Sequence, residues 1–395
     1  MEYLNFHNKK LLNGELIILR LRLNVIVFIP LFCEDFMKFG SVIESVGIYT
    51  PSRILTNSDF EKILAASGQE TSDEWIISRT GIRERHVAEP HETVGSMAYE
   101  AAKNTLDMDR AISPIEHILI ATNTHHQPFP NAAGEVQARI RESHPNLIEA
   151  HASGSDSYSG CTGVNMALMY ADALVKSGQF GKVLVVGVDK LSDVTDYSDR
   201  SNCILFGDGA SAYLIAQNKF GNGGFRGHMA RGDGNLRKVI YCEEGAEKVT
   251  LVEALSAVSE NRFAVKSRGR KLHMDGREVF KYVVEEWKNL IEGFKKNKKL
   301  NPDAIEFSDL AGISPHLANL RMFENIEKRY PGFLERCALA TEQDRTYFCN
   351  TSTASQGRRV RRFLQESHER DYLLAFGYGS GVHACANLYQ RPRIA

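Results

Sequence analysis

The sequence predicts an α/β fold assembled from two similar halves. Three observations carry this reading. From Ser41 onward, short apolar strand-like runs alternate with amphipathic segments, the pattern of layered α/β proteins. The order of those segments recurs in the second half of the chain. In each half a turn of small residues opens a helix, "SGCTGVNMA" in the first and "CNTSTASQG" in the second.

In order along the chain, "ELIILRLRLNVIVFIPLF" (15–32) is apolar but interrupted by Arg20, Arg22 and Asn24. It falls short of the ~20 apolar residues of a spanning helix. Residues 1–36 are therefore expected to be a peripheral N-terminal extension or a start-site artefact, with no membrane partner. "SVIESVGIYTP" reads as a strand ended by Pro51, and "TNSDFEKILAA" as a helix with a Thr/Asn/Ser/Asp cap. "HILIATN", "KVLVVGVD" and "GASAYLIA" read as strands; "SMAYEAAKNTLDM" and "GCTGVNMALMYADALVKSG" read as helices. The glycine- and asparagine-rich "QNKFGNGG" (217–224) marks the boundary, dividing the chain into halves 37–217 and 218–395. Residues 230–270 predict loops, a hairpin and a short helix at "TLVEALSAV". "REVFKYVVEEWKNLIEGFKKN" places Val279, Phe280, Val283, Trp287, Leu290, Ile291 and Phe294 on one helical face. "IEFSDLAGISPH" and "DYLLAFGYGSG" repeat the first-half strands "IEHILIATNTHH" and "KVLVVGVDKLS" in position and type.

The bulk numbers narrow the function. With 395 residues, 43% hydrophobic and 25% charged, the chain has an ordinary globular composition. A net charge of -1 gives no footprint for nucleic acid. Seven cysteines (33, 161, 203, 242, 337, 349, 385) form no CxxC pair and no even framework, which points to a reducing, cytoplasmic compartment.

Three turns carry chemistry. Cys161 lies between a strand and an uncharged helix, where backbone N–H groups and the helix dipole favour a thiolate. Against this stands the common role of cysteine as a packing residue. His316, in "ISPHLANLR", follows an apolar strand through Pro315, the place where α/β folds build sites. The pair His125–His126 competes with it. Asn350 occupies the matching second-half turn, where a helix cap is the plainer explanation. A Cys/His/Asn set is able to perform acyl transfer in general.

The chain from Met37 to the end resembles a β-ketoacyl-acyl-carrier-protein synthase III, an initiating condensing enzyme of the thiolase superfamily. The motifs that carry the likeness are "TSDEWIISRTGIRERHVAEPHETVGSMAYEAA", "SGCTG", "DRSNCILFGDGAS", "MDGREVFKYV", "PHLANLR", "NTSTAS" and "FGYGSG". It implies a thiolase-like αβαβα five-layer sandwich of two duplicated halves, and a homodimer. It also implies Cys161, His316 and Asn350 as the catalytic residues of a decarboxylative Claisen condensation. An acyl-CoA would load Cys161, and malonyl-acyl-carrier protein would supply the nucleophilic carbon. No permanently bound cofactor is implied; the coenzyme A thioester is a substrate. By the same likeness Thr71, Trp75, Arg79, Arg200, Gly276, Asn319 and Arg321 contact coenzyme A or the pantetheine arm. Arg321, with Arg277 and Lys281, would steer an acidic carrier, and Phe129 would reach across the dimer. Phe206 is placed near the pocket entrance.

The chain departs from the resemblance at Tyr158, Ser159 and Gly160 before the cysteine, at Leu317, at Asp275 and Arg277, and at Tyr378 inside a glycine loop. All are expected to touch the pocket, its tunnel or its rim, which suits a specialised paralogue. Acyl transfer to an alcohol or amine without decarboxylation, and a non-catalytic acyl-binding subunit, are the alternatives.

Overall fold

The computed structural model describes residues 40–108, 113–125, 127, 129–218, 221–341, 345, 348–366 and 371–392, together with the backbone of 7–11, 14–20 and 26–30. The strands are β1 (His7–Leu11), β2 (Gly14–Arg20), β3 (Ile26–Pro30), β4 (Gly40–Tyr49), β5 (Arg53–Thr56), β6 (Glu84–Val87), β7 (Ile115–Ala121) and β8 (Ile148–Ser157). They continue as β9 (Lys182–Asp189), β10 (Gly209–Asn218), β11 (Gly224–Gly232), β12 (Ile240–Lys248), β13 (Ser267–Met274), β14 (Leu310–Pro315), β15 (Tyr372–Gly379) and β16 (His383–Gln390). The α-helices are α1 (Asn57–Ala65), α2 (Asp73–Thr80), α3 (Val94–Leu106), α4 (Ala132–Ser143), α5 (Gly163–Lys176), α6 (Arg200–Cys203), α7 (Leu251–Ser259), α8 (Gly276–Gly293), α9 (Leu320–Arg329), α10 (Phe333–Arg336) and α11 (Gly357–Gln365).

The two principal sheets have the same plan. One runs β4-β10-β9-β7-β8 and the other β11-β16-β15-β14. In each, a parallel pair (β7 with β9, β14 with β15) is joined by an antiparallel neighbour to a further antiparallel strand. The repeat seen in the residue pattern is thus a repeat of topology. Among the described residues, β8 has no counterpart in the second sheet.

Alternation along the strands builds the layers, because successive side chains leave opposite faces. In β9, Leu184, Val186 and Val188 join a cluster with Met97, Ala101, Val136 and Ile140 of α3 and α4. Val183 and Val185 face the other way, onto Val164, Ala167, Leu168 and Ala171 of α5 and Val360 and Phe363 of α11. Leu374, Phe376, Ala386 and Leu388 of the second sheet pack outward on Val283, Trp287 and Leu290 of α8 and Phe323 of α9. Helices, sheet, central helices α5 and α11, sheet, helices: these are the five layers expected.

Local signals explain the helix starts. Thr56 and Asp59 form a reciprocal capping box on α1, and Thr93 caps α3. Asp275 accepts from Arg277 and Glu278 N–H to open α8. Of the apolar face expected on α8, Val279, Val283, Trp287 and Leu290 are buried, and Phe294 follows in the same core. Between residues 230 and 274 the chain forms the paired strands β12 and β13 with α7 inserted between them. At the N-terminus β1, β2 and β3 pair as an antiparallel meander; the side chains of residues 1–39 lie outside the described residues. Among the described residues, no helix is long and apolar enough to cross a membrane.

Candidate active site

The two central helices share one feature that places the site. Each is entered through a short 3₁₀ turn, Gly160–Thr162 before α5 and Ser352–Ala354 before α11. Cys161 lies in the first turn, Asn350 lies two residues before the second, and His316 follows the last residue of β14. All three line one cavity of about 640 Å³.

Glycine makes the approach possible. A Cβ on Gly379 would come within 2.7 Å of the Cys161 nitrogen, so β15 passes directly against the nucleophile turn. Gly160 has φ +57°, a conformation that side chains disfavour, and a Cβ there would strike Ser380.

Ser352 ties the three groups together. Its Oγ donates to Cys161 Sγ at 3.4 Å, and its N–H donates to Asn350 Oδ1 at 3.0 Å. Its carbonyl accepts from the Ser355 hydroxyl at 2.8 Å, and that hydroxyl oxygen is 2.8 Å from His316 Nδ1. The single Ser355 proton goes to the carbonyl, so Nδ1 carries a proton and donates to Ser355. Nε2 is then an acceptor on the cavity side. Asn350 has its oxygen engaged, which leaves the amide N–H groups for the cavity. Its backbone pairs with Leu205 and Gly207, at 3.1 Å and 3.0 Å.

Electrostatics corrects one expectation. The helix-start position of Cys161 predicts a thiolate, but burial pushes the thiol up to about 12, and the Ser352 hydrogen bond offsets only part of that. The residue still reaches the cavity, yet its sulfur is surrounded by protein. Burial also drives His316 down to about 3. The resting pair is a neutral thiol and a neutral imidazole, since in a dry site neither charge is solvated. Behind the pair lies Asp189, fully buried, which accepts from the Asn123 N–H at 2.6 Å and from the Thr353 hydroxyl at 2.9 Å. Desolvation raises its carboxyl above the usual range.

Trp75, Arg79, Gly276 and Asn319 line the same cavity, and so does Phe206. The Arg79 and Arg200 guanidinium carbons lie 5.7 Å and 4.6 Å from the centre of the Trp75 ring. Arg200 is outside the cavity lining and donates to the Glu70 carbonyl at 2.6 Å. Thr71 is also outside the lining; its hydroxyl is buried without a hydrogen-bond partner among the described residues. Asn319 caps α9 through Arg321 N–H and donates to the Arg79 carbonyl, so its amide braces two cavity walls. Arg321 is exposed and off the cavity, as a docking residue would be. Lys281 is committed to Glu278 at 2.6 Å.

Not every departure residue reaches the site. Tyr158 is 60% exposed and Leu317 lines a separate small cleft with Tyr49 and Thr351. Neither lines the main cavity, contrary to expectation, because Tyr158 ends at the surface of the β8 edge and Leu317 turns away from His316. Tyr378 does line it. His125 is buried and bonded to the Gln127 carbonyl, away from a catalytic role; His126 lies outside the described residues. Asn123, Ser352, Ser355 and Asp189 went unnoticed in the sequence. Only the density of hydroxyls in "NTSTAS" hinted at the second and third.

Comparison with known proteins agrees with the geometry. The sequence model of the family described as 3-oxoacyl-[acyl-carrier-protein] synthase III matches residues 155–234, the segment that contains Cys161. A β-ketoacyl-[acyl-carrier-protein] synthase III 2 of Staphylococcus epidermidis is 32% identical over 358 residues, covering 89% of this chain and 98% of the relative. One from Bacillus subtilis is 31% identical over 343 residues, covering 86% and 95%. The crystal structure of the Thermus thermophilus synthase III superposes with a TM-score of 0.72 at 31% identity, covering 88% of this chain and 98% of that one. A more distant Xanthomonas campestris OleA, at 14% identity and a TM-score of 0.68, shares the fold. Extent, identity and architecture together show that the chain belongs to the β-ketoacyl-[acyl-carrier-protein] synthase III family.

Proposed function

We propose that the protein condenses an acyl-CoA primer with malonyl-acyl-carrier protein to give 3-oxoacyl-acyl-carrier protein. The observation that carries this reading is the convergence of Cys161, His316 and Asn350 on one cavity, linked through Ser352.

Because thiol and imidazole are both neutral at rest, His316 Nε2 takes the Cys161 proton as the sulfur attacks the thioester carbonyl. The tetrahedral oxyanion is held by the Cys161 N–H and the facing glycine loop. The bond to the coenzyme A sulfur breaks, and that thiolate recovers the proton from the imidazolium. Malonyl-carrier then enters. Its carboxylate leaves as carbon dioxide, and the electron pair becomes an enolate whose oxygen accepts from Asn350 Nδ2. Exchange with solvent water takes the proton from Nδ1 and returns one to Nε2, the Ser355 hydroxyl turns to donate to the bare Nδ1, and His316 Nε2–H becomes the second donor. The enolate carbon attacks the acyl-Cys161 carbonyl, and Cys161 leaves as a thiolate that takes a proton from solvent.

Trp75, with Arg79 and Arg200, is assigned to the nucleotide end of coenzyme A. A stacked indole–guanidinium edge suits a purine, and arginine suits phosphate. Gly276 and Asn319 are assigned to the pantetheine arm, and Arg321 to the carrier. Thr71, by its unpartnered hydroxyl, is a donor beside Trp75. A homodimer is supported by the edge position of β8, whose Glu149, His151 and Ser153 are exposed, and by Phe129, 81% exposed.

The test is intact-protein mass spectrometry with a panel of acyl-CoA thioesters, followed by malonyl-carrier and assay of carbon dioxide. A mass gain lost in Cys161→Ala, and carbon dioxide lost in Asn350→Ala, are expected. An equal gain in both proteins overturns the nucleophile. Acylation without decarboxylation leaves simple acyl transfer as the activity.

A further inference from the structure

Asn123 follows β7 and lines the cavity beside Cys161. Its amide makes a three-way junction. Nδ2 lies 3.1 Å from the Gly160 carbonyl, 3.1 Å from Asp189 Oδ2 and 3.3 Å from Ser352 Oγ. Its own N–H donates to Asp189 Oδ1 at 2.6 Å, so the buried carboxyl grips the residue from main chain and side chain at once.

The Gly160 carbonyl belongs to the same peptide unit as the Cys161 N–H. That unit is planar and trans, so carbonyl and N–H point in opposite directions. A donor that holds the carbonyl therefore aims the N–H. Within its own turn the Gly160 carbonyl also accepts from the Gly163 N–H; Asn123 is the second donor, reaching it from outside the turn, at a glycine whose φ of +57° meets little steric resistance. The bond also polarises the peptide, which strengthens its N–H as a donor.

We infer that Asn123 is a positioning residue: it aims the Cys161 N–H at the developing oxyanion by holding the Gly160 carbonyl. The inference rests on the reading of Cys161 as an acyl acceptor. Asn123 touches no reacting atom and acts through the peptide. Only steps that build an oxyanion on the acyl carbonyl bonded to Cys161 Sγ depend on it.

That selectivity supplies the test. Alkylation of Cys161 by iodoacetamide builds no oxyanion, whereas acylation by an acyl-CoA does. Asn123→Leu, near-isosteric and without donors, is compared with wild type by single-turnover acylation and by alkylation rate, both read by intact mass. A loss of acylation of roughly ten- to hundredfold with alkylation changed less than about threefold is expected, less than the ~10²–10³ lost when an oxyanion donor is removed outright. Asn123→Ala serves the same comparison if Asn123→Leu fails to fold, and thermal unfolding of each variant checks integrity. Equal losses in both reactions, or no loss in either, overturn the inference. If wild-type Cys161 accepts no acyl group from any thioester, it is the proposed function that fails, and that outcome is read before any variant is made.

Discussion

The Tyr378 hydroxyl donates to the main-chain carbonyl of His316 at 2.9 Å, and the two rings meet edge to face with centroids 5.2 Å apart. Neighbouring residues of β15 face opposite ways. Gly377 and Gly379 lie against Asn165 and Cys161, while Tyr378 and Phe376 face His316 and Trp287. His316 is thus braced by a ring projecting from a strand that also crowds Cys161.

Tyr378→Phe keeps the ring and loses the hydrogen bond, leaving the His316 carbonyl to the Ala318 N–H alone, at a cost of about 1 kcal/mol. Tyr378→Gly also opens a cavity and costs about 3–5 kcal/mol. Denaturant unfolding should rank the two in that order. Turnover is expected to fall in both, and Tyr378→Gly should additionally accept bulkier acyl-CoA primers. Indistinguishable primer profiles would remove Tyr378 from the determinants of pocket size.

Because the Cys161 thiol is pushed up to about 12, its alkylation by iodoacetamide should accelerate roughly tenfold per pH unit from pH 7 to 10. A plateau near neutrality would show that the helix-start field outweighs burial. Ser352→Ala removes the hydrogen bond to sulfur and is expected to slow alkylation about tenfold. Rates come from intact mass against time, with Cys161→Ala as the blank.

His316 is held near 3 in the folded protein, below the ~6.5 of an exposed imidazole. The unfolded chain therefore binds the extra proton first. Stability should fall as pH drops below about 6.5 and go on falling towards about 3, with a slope up to about 1.4 kcal/mol per pH unit from this group. His316→Gln should lose that part of the slope. Urea midpoints between pH 4 and 8 measure it. The acylation profile of wild type should show no inflection near 6.5 from His316.

The Trp75 ring already carries the Arg200 guanidinium at 4.6 Å. Trp75→Ala should weaken coenzyme A binding about tenfold, the worth of roughly 1.4 kcal/mol of stacking and cation–π contact. Calorimetric titration reads the affinity. Decarboxylation of malonyl-carrier should be unchanged, and a matching loss there would move Trp75 from nucleotide recognition to general support of the cavity.

Residue patterning was sufficient for individual elements, with β9 an apolar run buried on both faces and α8 a helix with one apolar face, whereas the five layers were legible only through the family resemblance. Cys161, His316 and Asn350 were legible as candidates through the short motifs that hold them. What escaped was second-order: Asn123, Ser352 and Ser355 are small polar residues in loops, and their meaning comes from partners 37 to 229 positions away or from a turn too tight to read. Protonation escaped for the opposite reason. A helix start argues for a thiolate, and only the depth of Cys161 and His316 shows that desolvation wins.

The common strand order of the two sheets gives the pocket a divided parentage. One half contributes the Cys161 sulfur, and the other the His316 imidazole and the Asn350 carboxamide, so under the proposed function neither is expected to run the reaction alone. The seam between them is a fused partnership, joined by the short passage from Asn218 to Gly224. Severing that passage and co-expressing the pieces should return activity only when both are present. Substitutions that loosen α5 against α11 should then cost turnover before they cost the fold of either piece.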